Sequence, residues 1–181
     1  MINVVIPLSG RGARFLSAGY TVPKPLITVA GKTLIELAVT SLDLPGQHIF
    51  IVQKQHRDEY HIDDVLKKIQ PQSIIIETDG VTDGPACSAL LAQDYINTET
   101  ELVVANCDQI MEWNSLIFLN TARYYDGCVV TYTSTNNKNS FARIDQRGLV
   151  TEMKEKQPIS DIALVGIHYW RQGRHFVRSA Q

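Results

Sequence analysis

Apolar runs rich in Val and Ile recur along this chain and alternate with stretches of helical period, and that alternation constrains the fold most. Strand candidates lie at 2–8, 48–53, 73–77, 101–105 and 128–133, with helix candidates near 32–43, 56–70, 84–97 and 114–125. Several of the strand runs are near-continuous in Val and Ile, the pattern of strands covered on both faces. In the stretch 56–70, Ile62, Val65, Leu66 and Ile69 form an i, i+3, i+4, i+7 stripe, with Lys67 and Lys68 turned outward and Pro71 just past the end. Strand–helix alternation of this kind predicts an α/β fold, a three-layer α/β/α, Rossmann-like arrangement around a mixed, mainly parallel sheet. In such sheets ligands bind in the loops that follow the carboxyl ends of strands.

The pattern changes after residue 133. A polar loop, Ser134 to Ser140, precedes short apolar runs at 141–145 and 149–153 and a longer strand candidate from Ile162 to Trp170. These read as an antiparallel annex to the main sheet, so residues 1–181 are expected to form one domain. The residues after Trp170 read as the start of a helix. At 44% hydrophobic, 20% charged and a formal net charge of −2, the composition argues against a general binder of nucleic acid or membrane surfaces. No apolar run approaches the ~20 residues of a membrane span. Met1 leads into a strand and not a signal peptide, and the three cysteines (Cys87, Cys107, Cys128) form no CxxC pair, so a reduced, cytoplasmic setting is expected. Each cysteine is expected as a small buried hydrophobe. The five histidines show no metal-ligand spacing, and His168 reads as structural.

The segment Gly10 to Lys32, GRGARFLSAGYTVPKPLITVAGK, follows the first strand directly. Glycines let backbone amides approach a phosphate, and fixed cations neutralise charge there. A dinucleotide-binding turn would carry a third glycine where this chain has Phe15, and a P-loop would carry glycine at Leu26. Both fail. What remains is Gly10, Gly12, Arg14 and Phe15, then Pro23-Lys24-Pro25-Leu26, then Gly31-Lys32. In content, order and spacing this set resembles the signature of the sugar-phosphate nucleotidylyltransferases.

The resemblance implies the nucleotide-diphospho-sugar transferase type of fold, with a nucleotide-binding core at 1–133 and a partial acceptor-side annex at 134–181. It implies transfer of a nucleoside monophosphate from an NTP to a sugar phosphate or similar phosphorylated small molecule, with release of pyrophosphate. Such chemistry asks the protein to align nucleophile and leaving group and to neutralise oxygens that gain charge. By resemblance, Arg14 contacts the departing phosphates and Lys24 the α-phosphate or the incoming phosphate. Leu8, Gly10, Arg11 and Gly12 belong to the nucleotide site. Asp108, in Asn106-Cys107-Asp108 after strand 101–105, is implied as ligand of a Mg2+ cofactor, since carboxylate plus phosphate oxygens is the usual way that ion is held.

Thr78, Asp79 and Gly84 fall in the segment that resembles the family's base- and ribose-reading loop, although a helix start with Pro85 at its first position accounts for the local pattern equally well. Glu155 and Lys156 resemble the family's acceptor-binding E-K-P element with Gln157 inserted, and Lys154 is an alternative to Lys156. Gly166 matches the glycine that lets the acceptor approach, while a lone glycine in a strand also marks a bulge. Implied partners are therefore an NTP and a phosphorylated acceptor, with no nucleic acid or membrane, and a homo-oligomer is left open. Family members continue past this last strand and supply a second metal-binding aspartate, so truncation is one expectation. Two alternatives follow: a nucleotide-sugar-dependent glycosyltransferase of related fold, or a nucleotide-binding domain impaired in catalysis.

Overall fold

The computed structural model describes residues 1–181. Its strands are β1 (Asn3–Pro7), β2 (Thr28–Val29), β3 (Lys32–Thr33), β4 (Gln47–Gln53), β5 (Ile74–Thr78), β6 (Leu102–Ala105), β7 (Gly127–Thr133), β8 (Ser140–Ile144), β9 (Val150–Glu155) and β10 (Ile162–Trp170). Its α-helices are α1 (Ala13–Ser17), α2 (Leu34–Leu42), α3 (Lys54–Tyr60), α4 (Ile62–Ile69), α5 (Pro85–Leu90), α6 (Gln93–Ile96), α7 (Ser115–Ala122) and α8 (Gly173–Ala180). The main sheet runs β5-β4-β1-β6-β10-β8-β9, with β7 on the other side of β10. The strands from β5 to β6 are parallel, and β10 then runs antiparallel to β6.

Alternation along the central strands divides the core into two layers. From β1 and β4, Val4, Ile6, Phe50 and Val52 pack on one face with Ile35, Val39, Ile62, Leu66 and Leu119 from α2, α4 and α7. Val5, Ile49 and Ile51 pack on the other with Ala89, Ile96, Phe176 and Val177 from α5, α6 and α8. This is the predicted three-layer arrangement, and it explains why these strands lack the polar alternation of a half-exposed sheet.

The helix predicted over 56–70 is two helices. His61 takes a left-handed φ of 50°, which ends α3 and starts α4, while the stripe of Ile62 and Leu66 is buried as the periodicity requires. The stretch 84–97 likewise divides into α5 and α6. Lys32 and Thr33 are not helical but close a small hairpin with Thr28 and Val29. Thr33 then caps α2: its Oγ1 accepts from Glu36 N at 3.3 Å, and its own N donates to Glu36 Oε2 at 2.7 Å, a capping box. Cys87 is exposed, contrary to the expectation of a buried residue, whereas Cys107 and Cys128 are partly buried.

A carboxylate ties the far end of the sheet together. Glu101 accepts from Tyr169 Oη at 2.7 Å and from Arg123 Nε and Nη2 at 2.8 and 2.9 Å. The Arg123 guanidinium, with the Tyr169 hydroxyl, holds the Glu101 carboxyl below its ordinary range. A depressed folded value stabilises the protein above the unfolded value, near 4.3 for glutamate, and that contribution is lost as pH falls through the folded value. Melting temperatures of wild type and Glu101→Gln measured from pH 7 down to pH 3 are therefore expected to converge as the pH falls below about 4. Parallel curves would exclude this linkage.

Candidate active site

A cleft of about 480 Å³ opens at the carboxyl ends of β1 and β6, where the parallel sheet predicted a ligand site. Gly10, Gly12, Arg14 and Lys24 line it from one side, Gly84 and Thr82 from another, and Asp108 from the end of β6. Leu8 also borders it, although its side chain belongs to the core. A second cleft of about 620 Å³ lies beside the first and shares Arg14, Asn106 and Asp108 with it, continuing over Lys138, Lys154, Glu155 and Gly166. The seam between the two therefore carries one arginine and one carboxylate.

The Lys24 ammonium pairs with the Asp108 carboxylate and lies 5.6 Å from the centre of the Phe15 ring. A cation over an aromatic face gains modest attraction, so Lys24 is held from two sides. The Gly12 backbone comes close enough that a Cβ there would stand 3.3 Å from Lys24 Cβ. Next to Asp108, burial and the neighbouring carboxylate push the Cys107 thiol up to about 11, so it stays protonated at neutral pH.

The loop carrying Gly10 is buttressed from beneath. Gln53, at the end of β4, donates from Nε2 to the carbonyls of Ser9 (2.8 Å) and Gly10 (3.4 Å). Ser9 Oγ lies 2.8 Å from Ser88 Oγ, which lies 2.5 Å from Thr82 Oγ1. A chain of hydroxyls thus joins the glycine loop to the loop before α5. Sequence reasoning missed Gln53, Ser9, Thr82 and Ser88, though a glutamine ending an otherwise apolar strand is a signal of a buried polar task. The loop after Asp108 is fixed to α2, with Ser41 Oγ donating to Gln109 O (3.3 Å) and Trp113 Nε1 to Ser41 O (3.0 Å).

Some of the expected site residues stand elsewhere. Asp79 is exposed and Thr78 bonds only the nearby Gly80 carbonyl at 3.1 Å; neither lines either cleft, and Val81 and Thr82 take that place. Arg11 points into a smaller cavity on the outer side of the loop, shared with Lys24 and His56. Lys156 turns away at a left-handed φ of 54° and pairs with Glu155 at 2.6 Å, leaving Lys154 to line the second cleft. His168 lines that cleft too, and burial lowers its affinity for a proton. No group of three or more His, Cys, Asp or Glu side chains is placed to hold a metal ion, and no helix is long and apolar enough to cross a membrane.

Known proteins share both the sequence pattern and this architecture. The chain is 23% identical over 175 residues to the bifunctional protein GlmU of Methanococcus aeolicus, covering 92% of this chain and 39% of that protein. It thus spans about two fifths of the length of that relative. A nucleoside-diphosphate-sugar pyrophosphorylase of Vibrio cholerae superposes with a TM-score of 0.81 at 23% identity, over 97% of this chain and 76% of that one. The inositol-1-phosphate CTP transferase of T. maritima superposes with a TM-score of 0.79 at 16% identity, over 96% and 71%. At these identities the structures speak for the fold, the nucleotide-diphospho-sugar transferase type. The nucleotidyl transferase family model matches residues 3–179, nearly the whole chain, and the protein belongs to that family.

Proposed function

We propose that this chain transfers a nucleoside monophosphate from an NTP to a phosphorylated small molecule and releases pyrophosphate. The observation that carries the reading is the seam of the two clefts, where Arg14 and the Lys24–Asp108 pair border both or one of the halves that would hold donor and acceptor. A phosphate oxygen of the acceptor attacks the α-phosphorus, the bond to the bridging oxygen breaks, and pyrophosphate carries away the electron pair. The protein contributes alignment and charge neutralisation. Lys24 neutralises the α-phosphate, Arg14 the leaving phosphates, and the backbone of Leu8, Gly10 and Gly12 borders the nucleotide together with Gly84. On the acceptor side Glu155 stands with Lys154 rather than Lys156.

Asp108 fits a Mg2+ cofactor. It is a single carboxylate, partly exposed in the cleft, and Mg2+ is commonly held by one or two carboxylates plus substrate phosphates, not by a protein cage. If bound there, such an ion would neutralise phosphate charge beside Lys24. The relatives' names, a nucleoside-diphosphate-sugar pyrophosphorylase and an inositol-1-phosphate CTP transferase, support a sugar phosphate or similar phosphorylated small molecule as the acceptor.

A melting-temperature panel with ATP, CTP, GTP, UTP and dTTP, each with Mg2+, tests the donor half. A ligand bound by the native state at 100 times its Kd stabilises it by about 2.7 kcal/mol. One or two nucleotides are expected to raise the melting temperature, with chelation of the metal reducing the rise. No shift with any of the five would overturn the reading.

A further inference from the structure

We propose that Asn106 is a positioning residue that sets the Asp108 loop against a bulge in β10, and that residue 166 is glycine to leave room for the Asn106 side chain. The inference rests on the proposed transfer reaction for its functional consequence, but not for its geometry.

In β10, Leu164 faces Thr131 of β7 and His168 faces Val129, so the segment between them carries two more residues than its partner. At the same place β10 changes its other neighbour: Ala163 pairs with Phe141 of β8, and Ile167 pairs with Ala105, the last residue of β6. Asn106 leaves β6 into the gap between those two neighbours. Its backbone N donates to the Gly166 carbonyl at 3.0 Å. Its carboxamide lies over the Gly166 Cα so closely that a Cβ there would stand 2.6 Å from Asn106 Cγ and 3.2 Å from Oδ1. Gly166 also takes a φ of 92°, which disfavours any other residue. Real side chains do not tolerate 2.6 Å between carbons, so Asn106 would have to move. Two residues on stands Asp108, whose loop is tied to Ser41 on its far side and to Gly166 on its near side. Gly166 borders the second cleft, but the space directly over its Cα is taken by the Asn106 side chain, so the absence of a Cβ there makes room for this chain's own carboxamide.

Wild type, Gly166→Ala, Asn106→Ala and the double variant test this in a cycle, with Asn106→Gln as a longer side chain on unaltered backbone. The readouts are the melting temperature without ligand, the Mg2+ concentration for half-maximal transfer, and the acceptor KM. A loop displacement worth about 1.4 kcal/mol in metal binding raises the half-saturating Mg2+ about tenfold. Gly166→Ala and Asn106→Gln are expected to show that rise with acceptor KM little changed, and Gly166→Ala is expected to cost less in both melting temperature and Mg2+ requirement when Asn106 is already Ala. Additive effects in the cycle, or an acceptor KM that rises equally in both backgrounds, would overturn the proposal. If Gly166→Ala does not fold, Asn106→Gln must be worse than Asn106→Ala, and the reverse order overturns it. A wild type that turns over no NTP refutes the proposed function, while the melting-temperature cycle still decides whether Asn106 is seated on Gly166.

Discussion

Replacing Lys24 with alanine is expected to lower nucleotidyl transfer by about 10²–10³-fold, the usual loss when one fixed group that meets developing charge is removed. The structure gives the reason for so large an effect from one surface-accessible amine. Lys24 is held between the Asp108 carboxylate and the Phe15 ring, so little freedom is lost when it meets a phosphate. Without it, Asp108 faces an anionic substrate with no nearby cation on the proline-flanked segment. The stability cost is expected to be small, under about 1 kcal/mol, because the pair is partly solvated. Pyrophosphate release and thermal unfolding measured on the same preparation separate the two effects. Loss of rate together with gross unfolding, or a retained rate, would contradict the assignment.

Phe50→Ala is expected to produce the largest loss of stability, about 3–5 kcal/mol, from a total near 5–15 kcal/mol. Phe50 is fully buried in the middle of β4, between the parallel neighbours β1 and β5, and packs in the cluster with Leu66 and Ile62 of α4. Rigid strands on both sides limit collapse into the vacated space. Urea unfolding is expected to show a lower midpoint with an unchanged slope. A loss under about 1 kcal/mol would mean that the core layer repacks freely, contrary to the close packing of such interiors.

The sheet and its two helical layers were legible because burial on both faces leaves a continuous apolar signature in β1, β4 and β6. The amphipathic stripe of α4 was legible for the opposite reason, one face being buried at Ile62 and Leu66 while Lys67 and Lys68 stay exposed. Its boundary was not: a left-handed His61 leaves no mark in hydrophobic periodicity, and backbone conformation at one residue decides between one helix and two. The cleft-lining residues Gly10, Gly12, Arg14 and Lys24 were legible because they lie close together along the chain, which carries them into one cleft. The supports Gln53, Ser9 and Ser88 were not, since their contacts join residues 44 and 79 positions apart. The same limit applies to Thr78, Asp79 and Lys156, which line neither cleft. Each lies within a few residues of the cleft along the chain, but a turn at Gly80 and a left-handed Lys156 aim the neighbouring residues inward instead. Gly166 was legible as a bulge, whereas its companion Asn106 emerges only when the end of β6 and the middle of β10 are seen together.

The most direct test of the account is to follow an α-labelled NTP, chosen by the melting-temperature panel, with Mg2+ and a set of sugar phosphates and similar phosphorylated small molecules. The account predicts that label moves into a nucleoside diphosphate-linked product, one pyrophosphate appearing per transfer, only when an acceptor is present and not with Lys24→Ala. Label that stays in the NTP with every acceptor, or that appears as free monophosphate whether or not an acceptor is added, would contradict it.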